Sequence, residues 1–150
     1  MAQSLTKILV HIVFSTKKRK SWLDEEIISD LYLYVSKILK NHNCNALRIG
    51  GTENHIHILC ELAKTLSIGK IIEEVKTSSS KWIKSKNSRY KEFYWQHGYG
   101  AFSVSSSQKD ILCNYIANQK QHHKTWSFID EFCALLQKHN LNFEEKYSSD

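Results

Sequence analysis

The chain has 150 residues, which is enough for one domain with an ordinary hydrophobic core and too few for a second independent domain. Hydrophobic residues make up 41% and proline is absent, which is typical of a globular protein and argues against long extended linkers. The net charge of +6 is carried mainly by lysine, so the expected partner is an anion, and lysine suits a phosphate backbone better than base reading.

The cysteines and the N-terminus indicate where the protein works. The cysteines are widely spaced and form no C-x-x-C pair, so we expect reduced thiols, mostly in apolar core segments: Cys44, Cys60, Cys113 and Cys133. The N-terminal apolar run is too short to cross a bilayer and precedes its charges, unlike a signal peptide. We therefore expect a cytoplasmic protein with no membrane segment.

The first half of the chain predicts a strand, a helix and a hairpin. Residues 7–16 are rich in β-branched side chains at both odd and even positions, as in a central strand covered on both faces. Residues 21–43 predict a helix with Ser21 as the N-cap. Its apolar stripe is formed by Ile27, Leu31, Tyr34 and Ile38. Residues 44–62 predict two strands joined by a turn around Gly50, Gly51 and Thr52.

The second half predicts mainly helices. Residues 67–86 predict an amphipathic helix capped by Ser67, and residues 95–105 predict a loop followed by a short strand. A helix over 107–122 begins with a capping-box spacing between Ser107 and Asp110. A last helix covers 126–140, and the polar tail from 142 to 150 is expected to be loosely held. The predicted fold class is α+β, an antiparallel sheet with helices packed on it.

The second strand of the hairpin carries two histidines, His55 and His57, in the segment "ENHIHIL". The two-residue period of a strand turns both imidazoles to one side, where they can converge on one ion or one phosphate. Two satisfied polar residues would give the same pattern, so a metal site needs a further ligand.

The spacing around these histidines excludes several known sites. Two-histidine phosphodiesterases need two H-x-[ST] strands, which this sequence lacks, and a triad nucleotide hydrolase would need a histidine at Leu59. Structural zinc would need closely spaced cysteines, which are also missing from the sequence.

The helix predicted over 107–122 offers the further groups. Tyr115 and Gln119 lie four residues apart and project from one face, opposite the apolar face. The amide oxygen of Gln119 can complete a coordination shell with two imidazoles, and a phenol one turn away can reach a phosphate bound there. Taken alone, a tyrosine such as Tyr115 is more often an ordinary core or surface residue, because Y-x-x-x-Q is a weak pattern.

Several ordered segments together resemble the single-tyrosine transposases of the HUH endonuclease superfamily, the insertion-sequence-200-like group. The resemblance covers nearly the whole chain, through "HIVFSTKKRK", "ENHIHIL", "WQHGYGAFSVS", "YIANQKQHH" and "EFCALLQKHNLNFEEKY". It implies a ferredoxin-like, HUH-type sandwich in which residues 1–150 form one transposase domain and the helical segment 107–139 carries the catalytic tyrosine.

The resemblance also implies the site and its metal. Tyr115 would be the nucleophile, and His55, His57 and Gln119 would bind Mg²⁺ or Mn²⁺. Ligand softness alone favours zinc or another late transition metal at two imidazoles. We follow the resemblance and expect Mg²⁺ or Mn²⁺.

The expected substrate is single-stranded DNA with hairpin structure. Family members cleave and rejoin such DNA at element ends through a 5′-phosphotyrosine link, and they commonly work as homodimers with trans active sites. Expected phosphate contacts are Lys17, Lys18, Arg19, Arg48, Lys76, Lys81 and Lys84, and bases can stack on Trp82, Tyr90 or Trp95. Solvated lysines and core aromatic residues are the ordinary alternatives. No role is predicted for His11, His42, His97 and His139.

Three other functions stay open at this point. They are a non-catalytic, domesticated binder of single-stranded nucleic acid with the same fold, a rolling-circle initiator or relaxase, and a metal-dependent RNA hydrolase. The combination of two histidines, a tyrosine and a glutamine disfavours a pure binder, and the chain is too short for the extra domains of initiators. A covalent link between protein and DNA distinguishes a transposase from a hydrolase.

Overall fold

A four-stranded antiparallel sheet forms the centre of the protein, of which the computed structural model describes residues 3–142. Its strands are β1 (Leu9–Ser15), β2 (Asn45–Thr52), β3 (His55–Glu61) and β4 (Gly100–Val104), in the order β2-β3-β1-β4. β1 lies inside the sheet, as predicted, and all of its residues are buried. The predicted α+β fold class is confirmed.

Helices cover both faces of this sheet. They are α1 (Ile28–Asn41), α2 (Ile68–Lys86), α3 (Lys109–Ala117), α4 (Gln119–His122) and α5 (Phe128–Lys138). Short 3-10 turns lie at Lys17–Arg19, Ser88–Tyr90 and Ser106–Gln108. Within residues 3–142, no helix combines the length and the apolar character that a membrane span needs.

The alternation of side chains in the strands divides the core into two parts. Ile58 belongs to the large apolar core beneath α1 and α2. Its neighbour Leu59 faces the other way and packs with Ile116 of α3, while α5 packs on β1 and β4 nearby. His55 and His57 share the face of Leu59, so they lie beneath α3, α4 and α5.

The first helix begins later than predicted. Ser21 is not its N-cap, because α1 starts at Ile28. The backbone N–H of Leu23 donates to the carbonyl of Glu53 over 2.9 Å, which ties the preceding segment to the turn between β2 and β3. The first helical turn forms only at Asp24, whose carbonyl accepts the N–H of Ile28.

The predicted hairpin turn was wrong by a few residues. Gly50 and Gly51 lie inside β2, where Gly50 pairs with His57, and the chain turns at residues 53–54. A Cβ on Gly50 would lie 2.4 Å from the carbonyl oxygen of Ile116. Glycine is therefore needed here for the close approach of α3 to the sheet, not for a turn.

The helix predicted over 107–122 is interrupted. The predicted capping box is absent, because the N-cap of α3 is Gln108, not Ser107, and its side chain makes no capping hydrogen bond. At Asn118 the backbone leaves the helical region, with φ −102° and ψ 22°, so Tyr115 lies in α3 and Gln119 opens α4.

Other predicted elements are confirmed. Ser67 is the N-cap of α2, as predicted, and its Oγ accepts the N–H of Lys70 over 3.1 Å. The cysteines are free thiols, Cys44 and Cys60 buried and the other two half-buried. Almost all of the expected loose tail, residues 143–150, lies outside the described residues.

Candidate active site

His55 and His57 are completely buried, with no exposed surface on either residue. The Nε2 atom of His55 lies 2.8 Å from Oε1 of Gln119, and the Nε2 atom of His57 lies 3.0 Å from Oε1 of Glu131. Both imidazoles therefore direct the same ring nitrogen into one small space.

Tyr115 and Gln119 reach this space despite the break between α3 and α4. The Tyr115 hydroxyl donates a hydrogen bond to Oε2 of Glu131. The Gln119 amide nitrogen donates to the same oxygen over 2.9 Å, which turns its Oε1 toward His55. The structure thus brings together all four residues of the predicted site.

Glu131 is a member of the cluster that no sequence motif marked. It lies on α5, is completely buried, and has Oε1 within 3.5 Å of the His55 Nε2 atom as well as 3.0 Å of His57. α5 carries it there because Phe128 and Leu136 pack on β1 and β4. The available signal was a carboxylate on the apolar stripe of an amphipathic helix, three residues after Phe128.

Side chains that contact the Nδ1 atoms hold the two histidines in their orientation. His57 Nδ1 lies 2.8 Å from Nε2 of His11, and the two rings are stacked. His55 Nδ1 lies 2.8 Å from Oδ1 of Asn54 and 2.9 Å from Oγ1 of Thr52. Such contacts orient imidazoles that bind metals through the other nitrogen. His11, for which the sequence predicts no role, thus contacts a ring of the predicted metal site.

His123 is a further residue that sequence reasoning missed. Its Nε2 atom lies 3.1 Å from Oε1 of Glu131, and its ring packs edge-on against His55 at 4.5 Å. The carboxylate of Glu131 thus receives contacts from imidazoles, an amide and a phenol. Such a dense set of donors is what a buried carboxylate needs to stay ionised.

Burial determines the protonation states in the cluster. Burial lowers the pKa of His57, although Glu131 opposes this shift, and burial together with His57 lowers the pKa of His11 to about 3. Burial alone would raise the pKa of Glu131, but hydrogen bonds from His55 and His57 outweigh it and hold the pKa well below its usual range. Burial and the hydrogen bond to Glu131 raise the pKa of Tyr115. Near neutral pH, His11 and His57 are neutral, Glu131 is ionised and Tyr115 is protonated.

The donor atoms fit a divalent metal ion. The ligand atoms of His55, His57 and Glu131 all lie within 4.8 Å of one another, and Gln119 adds an amide oxygen. Neutral imidazole and ionised carboxylate are the forms that bind metals. These residues can therefore hold a metal ion. Their mixture of nitrogen and oxygen donors suits several divalent metals and does not identify one of them.

The predicted phosphate contacts do not gather at this site. Lys81 and Lys84 lie on α2, which covers the opposite face of the sheet, and Lys17, Lys18 and Arg19 form a separate 3-10 turn after β1. The Lys76 ammonium donates to the carbonyls of Gln96 and Gly98, over 2.8 and 2.7 Å, and so holds the loop before β4.

Arg48 lies beside the segment that follows Tyr115. It lines a cleft of about 590 Å³ between α1, β2 and α4, together with Lys120 and Lys124. The predicted stacking residues behave differently, because Tyr90 and Trp95 are buried in the apolar core and Trp82 stacks on Tyr34.

Comparison with known proteins identifies the family. The family model described as "Transposase IS200 like" matches residues 4–119, which is more than half of the chain. The chain belongs to the IS200-like transposase family. The resemblance inferred from the sequence is thereby confirmed. The matched part of this transposase contains the two histidines, Tyr115 and Gln119, and it ends before His123 and Glu131.

Solved structures share the fold of this IS200-like transposase. One is a protein of Deinococcus radiodurans R1 assigned as a transposase, with 20% identity and a TM-score of 0.62, covering 79% of this chain and 98% of that one. Another is a REP-associated tyrosine transposase bound to a REP hairpin, with 15% identity and a TM-score of 0.61, covering 85% of this chain and 74% of that one. At such identities the likeness concerns the fold. Curated protein sequences give no match.

Proposed function

We propose that this transposase cleaves and rejoins single-stranded DNA at hairpin-bearing element ends, using Tyr115 as the nucleophile and a divalent metal. One observation carries the proposal: the Tyr115 hydroxyl, the Gln119 amide and the Nε2 atoms of His55 and His57 converge on one buried space. A protein that only binds DNA gains nothing from burying these groups together, because burial of polar groups costs free energy.

The proposed reaction exchanges one phosphodiester for another. The Tyr115 oxygen attacks the scissile phosphorus, the bond to the 3′-oxygen breaks, and the phosphate becomes joined to the tyrosine through its 5′ side. The phenol loses a proton as the departing 3′-oxygen takes one up, so the proton count is unchanged. A second strand's 3′-hydroxyl reverses the step and rejoins DNA without ATP.

His55, His57 and Gln119 would hold the metal, with Glu131 as an additional donor in the state described here. A bound Mg²⁺ or Mn²⁺ would stabilise negative charge on the phosphate and favour ionisation of the nearby phenol. The protein's own contribution is orientation, because Asn54 and His11 hold the rings so that both Nε2 atoms face the same space.

The hairpin substrate is proposed from the family and from charge. The surface carries a net charge of +6, and the cleft with Arg48, Lys120 and Lys124 lies beside the tyrosine segment. The homodimer expected from the family stays a prediction. In the described chain, Tyr115 lies against its own histidines, so a trans site would need exchange of α3 between subunits.

The direct test is a covalent-adduct assay. A labelled single-stranded hairpin DNA is incubated with the protein and Mn²⁺, and we expect a denaturant-resistant shifted band that is absent for Tyr115→Phe and for duplex DNA. DNA binding without any adduct would instead support the non-catalytic binder. Mixing Tyr115→Phe with His55→Ala subunits tests the dimer, because restored cleavage requires a trans site.

A further inference from the structure

The carboxylate of Glu131 fills the space between the proposed nucleophile and the two histidines. One oxygen lies 3.0 Å from His57 Nε2 and 3.5 Å from His55 Nε2, and the other accepts the Tyr115 hydroxyl. A scissile phosphate would need the same arrangement, with one oxygen toward the metal ligands and its phosphorus beside the phenol oxygen. Carboxylate and phosphate would compete for this space, since both are anions held by hydrogen-bond donors.

The cluster is closed to any substrate in this state. His55, His57 and Glu131 are 0% exposed and Gln119 is 1% exposed. A phosphodiester cannot touch these groups until something above them moves. α5 is the element above them that carries Glu131.

The ligand count leads to the same conclusion. With Glu131 in place, two imidazoles, an amide oxygen and a carboxylate surround the site. Mg²⁺ and Mn²⁺ take six ligands in octahedral geometry and keep some of these positions for water or substrate oxygens. Withdrawal of Glu131 would free a further position for a phosphate oxygen.

We propose, on the basis of the function proposed above, that Glu131 is an internal competitor of the scissile phosphate. Its carboxylate occupies the phosphate position, and α5 moves away when single-stranded DNA enters. Gln119 Nε2 and His123 Nε2, which now contact the carboxylate, then face the phosphate oxygens. The described structure is the resting, closed form of the site.

The surroundings of α5 suit such a movement. A cavity of about 430 Å³ lies between α3, α5 and β4, and both Tyr115 and Glu131 line it. The helix is thus incompletely packed on the side where the nucleophile lies. Lys138, at the C-terminal end of α5, lines the same cavity and provides positive charge for an entering phosphate backbone.

A binding experiment without metal tests the competition directly. Glu131→Gln removes the anion with little change of shape, and Asp130→Asn removes one charge from the exposed neighbouring position of the same helix. The affinity of each variant for a fluorescein-labelled oligothymidylate of about twelve nucleotides is measured by fluorescence anisotropy in the presence of EDTA. If the closed form dominates about ten to one, Glu131→Gln should bind about tenfold more tightly, because the apparent dissociation constant scales inversely with the open fraction. Asp130→Asn should bind less than about twofold more tightly.

Two further measurements cover other outcomes. In the wild-type protein, amide hydrogen exchange over residues 128–138 should become faster when the oligothymidylate binds, which needs no variant to fold. Mn²⁺ affinity, followed by electron paramagnetic resonance, should fall by no more than a few-fold in Glu131→Gln.

The proposal is overturned by equal DNA affinities of Glu131→Gln and Asp130→Asn, or by unchanged protection of α5 with DNA bound. A loss of Mn²⁺ affinity by more than about a hundredfold in Glu131→Gln would also overturn it and would make Glu131 a permanent ligand. None of these measurements requires cleavage. A missing covalent adduct would therefore count against the proposed function and leave the competition measurable by itself.

Discussion

The two faces of the sheet are made by alternate residues of the same strands, yet they bury different chemistry. Beneath α1 and α2, Ile56 and Ile58 belong to a large apolar core. Beneath α3, α4 and α5, His55 and His57 meet a phenol, an amide and a carboxylate. The apolar face supplies stability, and the other face can therefore carry polar groups that cost free energy to bury.

The free-energy cost of burying the polar face is reduced because its groups form hydrogen bonds with one another. In residues 3–142, every buried side-chain nitrogen and oxygen has a hydrogen-bond partner. The satisfaction depends on Glu131, which contacts His57, His123, Gln119 and Tyr115. The two faces therefore predict opposite results for substitutions at neighbouring positions.

The largest expected effect is on the polar face. His57→Ala should reduce covalent-adduct formation on the order of a thousandfold or more, because it removes a proposed metal ligand. The rate of adduct formation with labelled hairpin DNA and Mn²⁺ measures this loss. Near-normal rates in His57→Ala would remove the histidine from the proposed site.

For Ile58, the next residue of β3, we expect a loss of stability and little change in metal binding. Ile58→Ala should lower the free energy of unfolding by about 2–5 kcal/mol, because it opens a cavity in the apolar core. Urea unfolding measures the change, and Mn²⁺ affinity of the folded variant should stay within about twofold of wild type. A strong loss of metal affinity in Ile58→Ala would show that the two faces are not separate.

A smaller effect is expected on the pH dependence of stability, and it arises from His11 on the polar face. His11 has a pKa of about 3 in the folded protein and 6.5 as the ordinary value. The unfolded chain therefore binds the extra proton below pH 6.5, and stability is lost as the pH falls from 6.5 toward 3. Between pH 7.5 and 5, His11 should account for about 2 kcal/mol of lost stability.

The matched variant for this effect is His11→Gln. Its urea unfolding in EDTA should depend less steeply on pH than that of the wild type, by about the same amount. The core variant Ile58→Ala should keep the wild-type pH dependence. Parallel pH curves for wild type and His11→Gln would contradict a neutral, buried His11.

The smallest expected effect lies on the surface. Arg48→Gln should weaken oligothymidylate binding a few-fold and reduce the slope of log affinity against log salt by about one, because one phosphate contact is lost. Lys76→Gln should leave the slope unchanged, since its ammonium is bonded to the carbonyls of the loop before β4. Equal slopes for all three proteins would remove Arg48 from the DNA-binding surface.

Sequence periodicity was sufficient for the elements with strong local signals. The β-branched run of β1 and the Ser67-capped α2 were predictable because their patterns are local. The prediction of a turn at Gly50 was wrong because a glycine is required both in turns and where a distant helix packs closely. The break at Asn118 was equally invisible, since nothing in the local pattern requires it.

The site was predictable only where a motif existed. The two histidines, Tyr115 and Gln119 form recognisable spacings, and the structure brings them together. Glu131 and His11 come from other elements, and their positions depend on how α5 and β1 pack against β3. Such tertiary contacts leave little trace in a single sequence. The sequence could not predict the distribution of lysines over several surfaces, because this distribution also depends on how the elements pack.

The lack of a side chain at Gly50 determines how closely α3, the helix that carries Tyr115, can approach the sheet. Alanine at this position would bring a methyl group to 2.4 Å from the carbonyl oxygen of Ile116, where ordinary contact begins near 3.4 Å. Relief of that overlap would lift the residue next to Tyr115 and draw the phenol outward. The distance between the proposed nucleophile and the two imidazoles therefore depends on the absence of a methyl group at Gly50.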